Sequence, residues 1–99
     1  MQEISISEVQ VTPIKPKDGL VGFASVIFND CLYLGSIGIF TRPQGGYRLT
    51  YPTRKAGVVN INVFYPIRKE VAITLEKVII SKFEEVTKKY VGYDKTDIR

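Results

Sequence analysis

The chain has 99 residues, with 14 Lys+Arg against 10 Asp+Glu, 44% apolar residues, one Cys, no His and no Trp. That length and composition fit one small globular domain with a modest core, and exclude wholesale disorder. The missing His removes the commonest general base and zinc ligand, and one cysteine can form neither an internal disulfide nor a thiolate metal site.

In chain order, Ile4 and Ile6 alternate with Ser5 and Ser7, then Val9 and Val11 with Gln10 and Thr12. The apolar parity switches between Ile6 and Val9, which predicts either a bulge there or a strand that starts near Ser7. Pro13, Pro16, Lys17, Asp18 and Gly19 read as a connection. Leu20 to Phe28 is a nearly continuous apolar run, rich in β-branched and aromatic residues, and suits a central strand. Asn29-Asp30 is a two-residue turn, and Cys31 to Phe40 the next strand. Cys31 lies in the run Cys31-Leu32-Tyr33-Leu34 and reads as a small buried apolar side chain. Gly35 and Gly38 inside that strand mark a bend or a close backbone approach.

Arg42 to Gly46 is a turn. Tyr47, Leu49 and Tyr51 then alternate with Arg48 and Thr50, and Pro52 ends that strand. Arg54 and Lys55 read as part of a loop toward Gly57. A further strand runs from Val58 to Tyr65. The period then becomes helical over about residues 68–90. Val71, Leu75, Val78, Ile79, Phe83, Val86 and Tyr90 line one face, and Lys77, Glu84 and Lys88 the opposite one. Gly92 reads as the helix stop. The fold class is therefore α+β: an antiparallel meander of about five strands with one C-terminal amphipathic helix. Residues 1–92 form a single domain, and 93–99 are expected to be a frayed tail. Ile73 and Ile80 share a line off the core stripe and are candidates for contact with a second subunit.

Charge is distributed unevenly. The 39 positions between Asp30 and Glu70 hold no acid and six cations: Arg42, Arg48, Arg54, Lys55, Arg68 and Lys69. That segment is +6 and the other 60 residues sum to −2. Surface charges usually mix in sign, so an acid-free stretch points to a polyanionic partner. Arg68 and Lys69 open a helix, where cations oppose the macrodipole unless an anion visits or Glu70 offsets them. Arg54 and Lys55 read as phosphate contacts, with Arg48 on the strand before them. Tyr33, Tyr47, Tyr51 and Tyr65 suit half-buried core positions; stacking on nucleobases is the alternative. The four glutamates of the helix disfavour its lying in a major groove, so any nucleic-acid contact would be led by the backbone.

Several strings resemble the SpoVG family of sporulation and septation regulators. Ile6-Ser7-Glu8-Val9-Gln10-Val11 is similar to its opening strand, and Phe23 to Cys31 to its second-strand segment. Gly46-Tyr47-Arg48-Leu49-Thr50-Tyr51-Pro52-Thr53-Arg54-Lys55 and Asn62-Val63-Phe64-Tyr65-Pro66-Ile67 resemble the two strings before the family's helix. The resemblance implies a small cytoplasmic bacterial regulator that dimerises through its sheet, binds DNA or RNA and controls gene expression. It implies no catalysis; the residues themselves show no apolar run long enough for a membrane span, and no metal or cofactor is expected. Asn62 stands where the family usually has Asp, and Ala72 and Thr74 where it often has Arg or Lys; Arg68 and Lys69 lie just upstream. On this reading Arg48, Arg54, Lys55, Arg68 and Lys69 are the candidate nucleic-acid contacts. The competing reading is a non-catalytic module that recruits a protein through its sheet edge or helix face.

Overall fold

A computed structural model describes residues 3–98, with side chains described through Lys88. Four strands form one antiparallel sheet in the order β1-β2-β3-β4: β1 is Ile6–Lys17, β2 Leu20–Phe28, β3 Leu32–Thr41 and β4 Tyr47–Thr50. A second sheet is a lone hairpin of β5, Thr53–Ala56, and β6, Val59–Asn62. Helix α1 spans Lys69–Ile98. The expected α+β class and meander hold. The fifth strand leaves the main sheet and pairs instead with residues 53–56, which are expected as a loop and form a strand.

The turns explain the register. Asn29 and Asp30 both have positive φ, 52° and 56°, and the Cys31 N–H donates to the Phe28 carbonyl at 3.0 Å. Two left-handed residues match the right-handed strand twist, which makes this a tight hairpin. Asp18 and Gly19 do the same between β1 and β2, at 54° and 89°. The expected connection over residues 13–19 is therefore only two residues long, and Pro13 and Pro16 lie within β1. Proline is tolerated there because β1 is an edge strand, where a missing N–H breaks no ladder. The expected bulge is present: pairing jumps from Ser7↔Ile27 to Gln10↔Ser25, with Glu8 at φ 47°. A second bulge falls in β3. There Ser36, at φ 59°, lets Ile37 and Leu34 face the same side although they are three residues apart.

The core lies between one sheet face and the helix. It comprises Ala24 and Val26 of β2, Ile37 and Ile39 of β3, and Leu75, Ile79 and Phe83 of α1, all buried. Val71 and Val78 pack beside them, as do Tyr47, Leu49 and Tyr51. Ring pairs tie the layers together: Tyr47 meets Phe83 edge-on at 5.1 Å, and Tyr51 meets Phe64 at 6.0 Å. Two of the four tyrosines, Tyr47 and Tyr51, thus sit against the core as expected. Tyr33 and Tyr65 are exposed.

Burial, and secondarily the Glu76 carboxylate, pushes the Tyr51 phenol up to about 12. The unfolded phenol titrates near ~10. Between those values the unfolded chain releases a proton that the folded chain keeps, so stability falls as pH rises. In a spectrophotometric titration we expect one tyrosinate step delayed to that range. Tyr51→Phe should flatten the alkaline loss of stability.

Three further expectations are corrected. Cys31 is exposed, because it belongs to the tight turn and not to the strand. Arg54 and Lys55 lie in β5 and not in a loop. Helical backbone passes Gly92 and runs to Ile98; an interior glycine costs a helix only about 1 kcal/mol relative to alanine. The Tyr90 side chain and those of the expected tail, residues 93–99, lie outside the described residues.

Candidate nucleic-acid interface

The six cations of the acid-free segment have different surroundings. Arg42 donates from Nε to the Tyr47 carbonyl at 3.0 Å and lies 3.8 Å from a Glu76 carboxylate oxygen. Arg68 sits just before the helix, and its carbonyl accepts from the Ala72 N–H at 3.1 Å, so it is the N-cap residue. Its guanidinium bonds Glu70 at 2.8 Å, and this partner holds the Glu70 carboxyl below its usual range. The Glu70 charge in the first turn also suits the macrodipole. The oddity of a cation at a helix start is thereby resolved within the chain for Arg68. Thr74, where the resemblance would place a cation, turns its hydroxyl back to the Glu70 carbonyl at 2.7 Å.

The remaining four cations, Arg48, Arg54, Lys55 and Lys69, are exposed and have no ion-pair partner among the described residues. Arg48 projects from the sheet face away from the helix. It is paired across strands with Phe40, and its guanidinium carbon lies 4.8 Å from the Phe40 ring centroid. Arg54 and Lys55 are adjacent in a strand, so they point to opposite faces of the hairpin. Register puts Arg54 beside Ile61 and Lys55 beside Asn60. Lys69 is the first residue of α1. The two residues of each sequence pair, Arg54-Lys55 and Arg68-Lys69, therefore do not act alike.

The hairpin has a second property that only the structure reveals. Val59 and Ile61 share its Arg54 face, and the Val63 N–H continues the ladder to the Pro52 carbonyl at 2.8 Å. Val58 at the turn is 97% exposed and Ile67 is 85% exposed. Val59, Ile61, Val63 and Tyr65, between them, are each about half exposed or more. Six large apolar residues within ten positions are thus open to water. Beside them opens an apolar cleft of about 310 Å³, whose walls include Phe28, Leu32, Leu34, Phe64, Ile67 and Val71. The sequence pattern showed these residues as a strand but carried no signal that the strand leaves the sheet. Of the two residues expected to meet a second subunit, Ile73 is exposed and Ile80 partly buried. They present far less apolar surface than the hairpin does.

Among the described residues no cluster of His, Cys, Asp or Glu is arranged to hold a metal, and no helix is long and apolar enough to cross a membrane. The fold and its surfaces define a small α+β domain whose unusual chemistry is spread over a sheet face and a projecting hairpin.

The sequence model of the SpoVG family matches residues 4–85, and the chain belongs to that family. It is 26% identical over 83 residues to a Treponema denticola protein named "Putative septation protein SpoVG", covering 83% of this chain and 88% of the relative. A Phytoplasma australiense protein of the same name is 25% identical over 84 residues, covering 84% and 86%.

Proposed function

We propose that the protein is a non-catalytic, nucleic-acid-binding regulator that acts as a dimer in the cytoplasm, in the control of septation, sporulation or gene expression. The carrying observation is the set of four exposed cations without carboxylate partners, Arg48, Arg54, Lys55 and Lys69, in a segment that holds no acid. Arg68 is a weaker contributor, since Glu70 already neutralises it. Such a set binds phosphates through charge and gives affinity that falls steeply with salt. The test is a titration of labelled single-stranded RNA, single-stranded DNA and duplex DNA at two salt concentrations. Saturable binding that weakens with salt supports the reading. Absence of binding to all three at low salt overturns it.

The exposed hairpin supports the dimer. Two strands alone are marginal in water and need a third strand or a packed face. A monomer seldom leaves an apolar strip of this size uncovered. Ile61→Lys places a charge in the middle of the strip, and its side chain is already half exposed, so the fold should survive. We expect sedimentation equilibrium to show a monomer for Ile61→Lys and a dimer for the parent chain. The strip also favours the second reading, recruitment of another protein. A monomeric parent chain that binds no nucleic acid would move the assignment there.

A further inference from the structure

We propose that the sheet face turned away from the helix is a stacking platform for unpaired nucleobases, with Phe23 and Tyr33 as its two exposed rings. This rests on the nucleic-acid reading above and names the form of ligand and the place where it is read.

Phe23 lies on β2 and Tyr33 on β3, the two central strands of the sheet. A large ring on a central strand usually faces the core, yet these are 40% and 70% exposed. Between them is a shallow depression of about 360 Å³, lined by Gln10, Thr12, Phe23, Ser25, Tyr33 and Ser36. Aromatic walls with amide and hydroxyl groups at the rim match a nucleobase, which has two π-faces and an edge of donors and acceptors. A partner that was purely apolar would leave those polar groups unpaired.

The backbone is shaped to keep the rings in place. A Cβ at Gly35 would lie 2.8 Å from the Tyr33 ring, so the ring lies against bare backbone there and leans along the strand. Gly38 is covered in the same way by the Phe40 ring, and a Cβ there would also lie 2.6 Å from the Thr50 hydroxyl. Phe40 in turn carries the Arg48 guanidinium. The face thus offers an aromatic slot and a flat cation-on-ring pair. It is also free of repulsion: across β2, β3 and β4 no residue is acidic, Asp30 being in the turn. On β1, Gln10 and Thr12 face the slot, and Glu8 belongs to the bulge further along. Charge complementarity therefore favours a polyanion over a second copy of the same face, which would set Arg48 against a surface with no carboxylate.

The experiment uses fluorescein-labelled 20-nucleotide poly-rU and a mixed-sequence 20-base-pair DNA duplex, titrated with the full chain by anisotropy. Tyr33→Leu and Phe23→Leu keep apolar bulk and remove the ring; both sites are exposed, and circular dichroism checks the fold. Each is expected to weaken poly-rU binding by roughly 5- to 150-fold, the range for loss of one base stack. The slope of log affinity against log salt should not change, because no phosphate contact is removed. Tyr33→Phe should bind like the parent. Photocrosslinking with 5-iodouridine should label Phe23 or Tyr33. The proposal is overturned if both leucine variants bind poly-rU like the parent while an Arg54→Ala/Lys55→Ala variant is weakened. In that case nucleic-acid binding stands and the stacking face does not. It is also overturned if either leucine variant turns a dimer into a monomer, which would assign the face to a second subunit. Absence of poly-rU binding by the parent overturns the stacking face alone, and absence of binding to poly-rU, single-stranded DNA and the duplex alike overturns both readings together.

Discussion

Phe83→Ala is expected to lower the folding stability by about 3–5 kcal/mol, the usual cost of deleting a buried phenyl ring. Phe83 is 3% exposed and is the last buried core residue on the described part of the helix. Its ring meets Tyr47 of β4 edge-on and reaches within 3.0 Å of where a Cβ on Gly22 would stand, above β2. One side chain therefore joins the helix to two strands that are not neighbours in the sheet. Gly22 makes room for it, since a Cβ there would stand 3.0 Å from the ring and 3.1 Å from the Thr12 carbonyl oxygen, tighter than ordinary contact. The cavity left by alanine cannot close easily, because the backbone of β2 and β1 forms its floor. Small domains are stable by only about 5–15 kcal/mol, and each kcal/mol shifts the midpoint by about 4–8 °C at this size. The melting temperature of Phe83→Ala should fall by well over ten degrees at equal protein concentration. Phe83→Leu should lose less. An unchanged midpoint would show that the helix is held elsewhere.

The helix stripe that carries Phe83 was readable from spacing alone, because a period of 3.6 has one physical solution when a single sheet face needs covering. The turns at Asn29-Asp30 and the parity switch at Ile6/Val9 were readable for the same reason: local backbone chemistry decides them. The hairpin was not. Thr53-Arg54-Lys55-Ala56 has no alternation of apolar and polar residues, and pairing with β6 is what makes it a strand. Cys31 lies in the turn and not in the strand because one residue of register decides between the two. The acid-free segment was plain in the sequence. Its division into two paired and four unpaired cations needed the positions of Glu70 and Glu76. The outer-face rings were hidden for a further reason: an alternating strand shows which residues share a face, not which face is covered.

A variant with Arg48, Arg54, Lys55 and Lys69 all replaced by alanine is expected to lose most of the salt dependence of nucleic-acid binding. Each phosphate contact contributes about 0.7 to the slope of log affinity against log salt on single strands. Four contacts give a slope near −3, or roughly a 50-fold loss of parent affinity between 50 and 200 mM salt. The quadruple variant should be nearly flat over the same range. The informative comparison is Arg42→Ala/Arg68→Ala, which removes two charges from the same segment. Both of those guanidiniums already face carboxylates, Glu76 and Glu70. Their removal frees two acids and deletes only the weaker contribution of Arg68, so the slope should stay within about half a unit of the parent's. A protein that bound through net charge alone would respond to the number of cations lost, and the double variant would show half the effect of the quadruple one. A protein that bound through the unpaired cations would separate the two variants almost completely. Because all six positions are exposed, neither variant should unfold. The contrast is therefore carried by binding, and equal behaviour per charge removed would overturn the proposed interface while leaving nucleic-acid binding itself intact.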